Sequence, residues 1–359
     1  MSERVEVTRT TFEDPALRAW WTCAYEENRL KRNTFFQSWQ WNRLWSTYFV
    51  EPDPRREPVL LMMKKEGSIV AAAPLFLQMR RAGPLTAWRY LLFLGDRLAQ
   101  YTDLVTTDTD TTAVWGALLA WIETTYPGSW LLLHDVLPES TVAGTGLHAR
   151  HDRGELYLRV SLANEDADSL IERADAHMRR EVRRARRMFD REEALTWSAV
   201  RSPDAQLVDA LIRLNRERFG TASWFEQESH RAFFHDAVAA AGHEAVFTVL
   251  RHDGEIVHVM ASWIHAGSML YVLSGMDEQY KRYSPGTMNL DRSICFALEQ
   301  GCTFFDFLRG DERYKREFNP QQRRSEHCTL HTARSLLRYR AARTVQRLMQ
   351  SRQQRRELQ

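Results

Sequence analysis

The chain has few cysteines, no long apolar run and no large excess of charge of either sign. Its four cysteines, Cys23, Cys295, Cys302 and Cys328, lack the spacing of metal ligands, so we interpret them as reduced core residues. No apolar segment approaches the roughly 18 residues that a membrane span requires, and the first residues do not resemble a secretory signal. These absences predict a cytoplasmic protein without stable membrane insertion.

The charge and the histidines exclude two further classes of function. A net charge of +2 over 359 residues argues against a general affinity for nucleic acid or membranes. The twelve histidines form no pair with carboxylates at metal-site spacing, so the sequence predicts no metal. The hydrophobic fraction of 44% is typical of a globular protein, and the length suffices for two cores of roughly 100 to 200 residues each.

Both halves of the chain carry a β-hairpin signal. The turns are centred on Glu66-Gly67 and Asp253-Gly254, each between two apolar, strand-like runs. In each half a helix then precedes another strand: a helix from about 111 to 125 precedes Trp130–Asp135, and a helix after Ser284 precedes Cys302–Leu308. Two degenerate copies of one α/β unit would explain the length, but the copies are too divergent in sequence for this order alone to establish a repeat.

The segment Tyr280-Lys281-Arg282-Tyr283-Ser284-Pro285-Gly286-Thr287 is typical of an anion-binding helix start. Proline lacks an N–H and suits the first helical position, with Ser284 before it as the cap. Gly286 permits close approach of a ligand to the backbone, and the N–H groups of the first turn point towards an anion. A helix start that binds nothing is the alternative. The acidic segment Tyr101–Asp108 of the first half has no Ser-Pro-Gly element.

Landmarks spread from about residue 35 to about residue 318 carry a family resemblance. They are Phe36-Gln37-Ser38-Trp39, Ala73-Pro74-Leu75, Phe93-Leu94-Gly95, Tyr101-Thr102-Asp103, the helix from Arg179 to Arg187, Asp253-Gly254, Ser284-Pro285-Gly286, and Phe305-Asp306-Phe307 through Gly310 to Tyr314-Lys315. On these residues the chain resembles the CelD-like branch of GNAT-superfamily acyltransferases and, more distantly, FemAB-type aminoacyl transferases. The common GNAT pyrophosphate signature is approximated only by Arg282 and Gly286.

The resemblance implies an α/β (α+β) fold of tandem GNAT-like domains, each a mixed, mostly antiparallel sheet flanked by helices. We expect a degenerate GNAT-like domain at 1–163, a basic linker helix at 164–195, an acyl-donor domain at 196–332 and a basic helix at 333–359. The last segment follows from composition, since residues 332–359 contain eight arginines and one acidic residue, Glu357. It is interpreted as a docked helix, with contact to anionic membranes or nucleic acid as the alternative.

The resemblance also implies acetyl-CoA or another acyl-CoA as the donor. The residues expected to bind it lie at the end of the third strand and in the turn that follows: Ser274, Gly275, Lys281, Arg282, Ser284, Gly286 and Thr287. Asp306 and Glu312 are alternative general bases, and Tyr314 is the expected proton donor to the leaving thiolate. Capping by Asp306 and packing by Tyr314 are the structural alternatives.

The acceptor is expected to be a small molecule or saccharide precursor with an amine or hydroxyl group. The residues proposed to bind it are Asp103, Arg179, Arg183, Arg218 and Lys315. The arginines between 179 and 187 follow one side of a helix, which indicates either a phosphate or RNA site or an ordinary solvated face. Two other functions stay open: aminoacyl transfer from charged tRNA, as in FemAB-type enzymes, and a non-catalytic binding subunit of a polysaccharide-synthesis complex.

Overall fold

A computed structural model of the chain describes residues 4–81, 87–95, 99–143, 145–146 and 149–330. Contacts divide these residues into two compact units, one of residues up to 154 together with 325–330, and one of 155–324. The chain passes between the units inside two strands, β7 (Ala149–Ser161) and β13 (Gln321–Leu330). The predicted basic helix at 333–359 lies outside the described residues.

The described residues of the first unit form a mixed sheet with three α-helices. Its elements in chain order are β1 (Glu6–Thr10), α1 (Pro15–Glu26), α2 (Trp39–Phe49), β2 (Arg56–Lys65), β3 (Ser68–Arg81), β4 (Ala87–Phe93), β5 (Val105–Thr106), α3 (Thr111–Thr125) and β6 (Trp130–Val136). The strand order is β1-β2-β3-β4-β6-β13, and β5 pairs with β3. Among the strand pairs of this unit whose register is described, only β4 and β6 are parallel.

The second unit repeats this plan. Its elements, between β7 and β13, are α4 (Ala167–Arg173), α5 (Ala176–Arg191), β8 (Leu195–Arg201), α6 (Ala205–Phe219), α7 (Glu228–Ala241), β9 (Ala245–His252), β10 (Glu255–His265), β11 (Ser268–Met276), α8 (Pro285–Glu299), β12 (Phe304–Arg309) and α9 (Arg313–Glu317). The strand order is β7-β12-β11-β10-β9-β8, with β11 and β12 parallel. In both units a hairpin is followed by a helix and then a strand, as the sequence predicted. The structure adds that two helices precede each hairpin and that the later strand pairs in parallel.

The hairpin turns form for the reason that their sequences suggest. Asp253 and Gly254 both have positive φ, +51° and +85°, and Glu66 and Gly67 have +48° and +79°. A two-residue turn with positive φ at both central positions matches the twist of the flanking strands, and glycine adopts such a φ without steric cost. The predicted hairpins are therefore confirmed.

Helix α5 packs inside the second unit. Val182 and Met178 are buried in the same core as Ile294 of α8, and Arg186 forms a bidentate ion pair with Asp291 of α8, at 2.8 and 2.9 Å. The segment 164–195, expected to be a linker, thus belongs to the core of this unit, because its apolar stripe is buried. The domain boundaries drawn from the sequence stay predictions.

No helix among the described residues is long and apolar enough to cross a bilayer.

Candidate functional site

Strands β11 and β12 pair over a short distance and then separate. Their register covers Ser268–Leu270 against Phe304–Asp306, while β11 remains paired with β10 as far as Met276. Beyond Asp306, the pairing of β12 with β7 shifts register, and Leu308 has a φ of +59°. Beyond Leu270, β11 therefore presents an edge that β12 does not cover, where an extended ligand can hydrogen-bond to the backbone.

The predicted anion-binding turn lies directly after this edge. Residues Glu278–Tyr283 form a 3-10 helix and Pro285 begins α8, as predicted. Ser284 occupies the cap position, but its φ is +50° and its side chain makes no capping hydrogen bond, so the predicted side-chain cap is wrong. The first-turn N–H groups of Gly286 and Thr287 therefore have no side-chain cap, which suits them to bind an anion.

The two basic residues of the turn point to different partners. Lys281 is largely exposed, and its Nζ lies 3.8 Å from Glu278 Oε2. Arg282 stacks over the Tyr283 ring at 4.7 Å and donates to the Tyr283 hydroxyl at 2.9 Å. Both cations lie in the segment that leads into α8, and neither is buried, so each can reorient towards an anion at small cost.

Two tyrosines lie together beside the open edge of β11. The Tyr271 hydroxyl is 2.8 Å from Ser274 Oγ, and the Tyr314 phenol of α9 interacts with that of Tyr271. Burial raises the pKa of Tyr314 well above its usual range, and Tyr271 and the Glu312 carboxylate raise it further. Burial also raises the pKa of Tyr271. Both phenols therefore keep their protons at neutral pH and can donate hydrogen bonds, although the raised pKa makes Tyr314 a weaker acid than a free tyrosine.

Arg218, at the end of α6, lies within electrostatic reach of the turn and the tyrosines. Its Nε is 3.5 Å from Glu278 Oε1. Its positive charge opposes the rise in the pKa of Tyr271 and Tyr314 and helps to lower that of His258. The structure thus brings Arg218 together with Tyr314 and the turn. The sequence analysis had assigned Arg218 to acceptor binding, Tyr314 to catalysis and the turn to donor binding.

Glu312 and Lys315 form a pair at the start of α9. The Lys315 Nζ is 2.9 Å from Glu312 Oε2 and donates to the Arg309 carbonyl at 2.8 Å. The lysine side chain is 6% exposed, whereas that of Glu312 is 53% exposed. Lys315 is therefore held by internal partners, while the glutamate is accessible to an acceptor.

Three other predicted residues have internal partners that account for them. Asp306 is buried, accepts from the Leu308 N–H at 2.8 Å and forms an ion pair with Arg323 at 3.0 Å. The Ser274 carbonyl accepts from Asn215 Nδ2 at 2.8 Å. A Cβ on Gly275 would lie 2.9 Å from the Leu211 carbonyl oxygen, so this glycine allows α6 to pack against β11. Roles in catalysis or donor binding stay predictions for all three.

The two arginines of α5 that were assigned to the acceptor have a partner on α4. Arg179 and Arg183 both pair with Glu172 at the end of α4. Asp103 belongs to the first unit, where it is buried and accepts from the Thr141 N–H at 2.7 Å, from the Thr141 hydroxyl and from the Leu104 N–H at 2.8 Å. Burial raises its pKa. These contacts fit the structural alternatives, and acceptor binding by these residues stays a prediction.

Asp175, His177 and Glu317 bring their possible ligand atoms within 4.8 Å of one another. Each has a protein partner: Asp175 caps α5 through the Met178 N–H at 2.8 Å, and Glu317 contacts His177 at 3.2 Å and Arg313 at 2.6 Å. The cluster is therefore explained by its own hydrogen bonds, which tie α9 to the start of α5.

The sequence analysis missed a buried polar group beneath the start of α8. His258 of β10 is 3% exposed, and its Nδ1 is 2.8 Å from Asn289 Nδ2. A Cβ placed on Gly286 would lie 3.8 Å from the His258 Nε2. The available signal was a histidine within the apolar run Ile256–Trp263, a pattern that is also typical of an ordinary core histidine.

Comparison with known families and structures supports this description of the fold. Residues 176–316 match the family of the acetyltransferase (GNAT) domain; the match begins at α5, ends within α9 and includes the open edge, the turn and Tyr314. No curated protein sequence matches the chain.

Solved structures are similar over most of the chain. FemX superposes with a TM-score of 0.62 at 10% identity, over 90% of this chain and 96% of its own. The C-terminal domain (DUF2156) of a putative lysylphosphatidylglycerol synthetase from Agrobacterium fabrum gives 0.54 at 12% identity, over 91% and 96%. L-PGS from Bacillus licheniformis gives 0.50 at 16% identity, over 73% and 82%. Residues 176–316 are thus similar to the acetyltransferase (GNAT) domain, and the fold of the chain is similar to that of FemX.

Proposed function

We propose that the second unit transfers an acyl group from an acyl-coenzyme A, acetyl-CoA in the first instance, to an amine or hydroxyl. The observation that carries this proposal is the separation of β11 from β12 directly before the uncapped start of α8. An extended pantetheine arm fits an open strand edge, and a diphosphate fits the N-terminus of a helix. These two features lie in sequence order on one short segment.

The residues around the edge provide for proton transfer. A bound acyl-CoA would supply the thioester. Tyr314 is the proposed donor to the leaving thiolate: it keeps its proton at neutral pH and can hydrogen-bond to the sulfur, and the charge of Arg218 opposes the rise in its pKa. Glu312 is the accessible carboxylate, and it can accept the proton of an acceptor amine or hydroxyl. Arg218 places positive charge near Tyr271 and Tyr314, where it can stabilise negative charge that develops during transfer.

A small molecule or saccharide precursor is the acceptor that we propose, in line with the CelD-like resemblance of the sequence. Fold alone does not specify it.

Aminoacyl transfer from charged tRNA is the second candidate. It is favoured by the similarity to FemX, which extends over 90% of this chain, and by the arginine-rich segment after residue 332. A non-catalytic binding subunit is the third, and it is disfavoured by the combination of a protonated Tyr314 with an uncapped helix start.

Calorimetric titration with acetyl-CoA and longer acyl-CoAs tests the proposal. We expect micromolar binding that is lost in Gly286→Trp, because the indole would fill the space at the start of α8. Gly116→Trp is the matched control, since Gly116 is exposed on α3 and a Cβ there meets nothing within 4 Å. A folded wild-type protein that binds no acyl-CoA would contradict the proposal, and salt-sensitive retention of aminoacyl-tRNA by that protein would favour the second candidate.

A further inference from the structure

The orientation of the Asn289 side chain is fixed by an indole. Trp197 Nε1 lies 2.8 Å from Asn289 Oδ1, and an indole N–H can only donate a hydrogen bond. The atom that it meets is therefore the amide oxygen. Asn289 Nδ2 accordingly faces the Thr248 carbonyl at 2.9 Å, which can only accept. Two independent partners thus agree on the placement of the amide nitrogen.

This amide determines which nitrogen of His258 carries the proton. Asn289 Nδ2 is also 2.8 Å from His258 Nδ1. Because an amide NH2 group cannot accept a hydrogen bond, Nδ1 must be the acceptor. A neutral imidazole that accepts at Nδ1 carries its proton on Nε2. His258 is therefore a buried donor through Nε2–H.

The Nε2–H faces the start of α8. A Cβ on Gly286 would stand 3.8 Å from Nε2, so the histidine lies against the first turn, whose N–H groups have no side-chain cap. Among the described residues, Nε2 has no hydrogen-bond partner. The residue as a whole is 3% exposed, but Nε2 is not among the fully buried atoms that lack a partner, so a small ligand atom can reach it. A donor in this position beside an uncapped helix start suits a ligand that accepts hydrogen bonds.

We propose that His258 donates its Nε2–H to a phosphate oxygen of the acyl donor bound at the start of α8. The inference rests on the proposed function and adds a positioning residue to it. The chemistry that His258 recognises is a phosphate oxygen, which belongs either to the diphosphate of coenzyme A or to a phosphodiester near the end of a charged tRNA.

The histidine stays neutral in this role. Burial, helped by the positive charge of Arg218, lowers the pKa of His258 to about 3. It therefore supplies one directed hydrogen bond without a charge, while Arg218 supplies charge nearby. A neutral donor with its other nitrogen engaged by Asn289 selects a ligand atom that accepts and excludes one that donates.

Binding of coenzyme A and of pantetheine, which lacks phosphate, to wild type, His258→Phe and His258→Gln tests the proposal. A hydrogen bond to a charged group implies a loss of roughly 10- to 100-fold in coenzyme A affinity for His258→Phe. Pantetheine affinity should be unchanged, and His258→Gln, which keeps an N–H donor, should recover part of the loss. Equal coenzyme A affinity in wild type and folded His258→Phe would overturn the proposal, as would an equal loss for both ligands. In the second arm, a minihelix with the 3′ end of tRNA replaces coenzyme A, and its affinity is measured for the same three proteins. A loss for His258→Phe with partial recovery for His258→Gln would assign the phosphate oxygen to tRNA.

Nitrogen-15 NMR of the histidine ring provides a readout in the unmutated protein. We expect His258 to be in the Nε2–H form at neutral pH, with a resonance that moves on adding coenzyme A but not pantetheine. An Nδ1–H form, or a resonance that is unmoved at saturating coenzyme A, would overturn the proposal. If wild type binds neither coenzyme A nor the minihelix, the proposed function fails together with this one. If wild type binds and only the His258 effects are absent, the proposed function stands and this inference alone fails.

Discussion

The Lys315 ammonium is paired with the Glu312 carboxylate at 2.9 Å, although the lysine side chain is almost completely buried and the glutamate is half exposed. The Arg309 carbonyl accepts a second hydrogen bond from the same Nζ. This second bond joins the end of β12 to α9, the helix that carries Tyr314. A buried ammonium needs such partners because desolvation of a charge is costly.

Glu312→Gln should lower the free energy of unfolding by about 1–2 kcal/mol, because the buried ammonium loses its charged partner. Urea unfolding measures the loss. Lys281→Gln is the control: its pair with Glu278 is exposed and 3.8 Å long, so its removal should change stability by less than about 0.5 kcal/mol. Equal stability of Glu312→Gln and wild type would show that the pair contributes nothing.

Tyr314→Phe should lower acyl-transfer turnover by roughly 10²- to 10⁴-fold, the usual contribution of a positioned proton donor. Acetyl-CoA affinity should stay within a factor of about three, since the phenol acts on the leaving group rather than on the donor's phosphates. Steady-state kinetics and calorimetry measure the two quantities. Unchanged turnover would remove Tyr314 from the mechanism and leave it the packing role seen against Phe307.

The stability of the protein should fall above about pH 10. The pKa values of Tyr271 and Tyr314 are raised in the folded state, so below the unfolded value of about 10 both states keep the proton and the full stability is present. As the pH rises further, the unfolded phenols ionise first, and each costs about 1.4 kcal/mol per pH unit. Urea unfolding between pH 8 and 11 should show a shallower decline for Tyr314→Phe; parallel declines would contradict this account.

Gly275→Ala should cost about 1–3 kcal/mol of unfolding free energy. Its Cβ would lie 2.7 Å from the Leu214 Cβ and 2.9 Å from two backbone atoms of α6, so the helix must shift away from β11. Gly286→Ala is the matched control, since its Cβ meets only His258 Nε2 at an ordinary 3.8 Å. Thermal or urea unfolding of both variants tests the difference, and a Gly275→Ala variant as stable as Gly286→Ala would refute it.

Asp306→Asn should lower the free energy of unfolding by about 1–3 kcal/mol, because it removes one charged partner of the largely buried Arg323 guanidinium. Adding Arg323→Met should recover part of that loss. If the role of Asp306 is structural, the folded double variant should also recover turnover. Turnover that stays at least 100-fold low in a stable double variant would instead support the general-base role expected from the sequence.

Much of the fold followed from local chemistry in the sequence. The Asp253-Gly254 turn, the helix start at Pro285 and the repeated order of hairpin, helix and strand could be predicted because they depend on backbone preferences within a few residues. For the helix from Ala176 to Arg191, sequence periodicity gives the apolar stripe but not the surface against which it packs, and the structure places that stripe against α8.

The sequence by itself determined the order of hairpin, helix and strand in each half, the anion-compatible turn and the presence of Tyr314 in the polar segment after β12. The tertiary structure decided what the polar residues do. Asp306 meets Arg323 across 17 positions, and Trp197 fixes Asn289, and through it the proton of His258, across 92. Hydrogen bonds and ion pairs of that separation depend on where whole strands and helices pack, and no local preference of the chain encodes them.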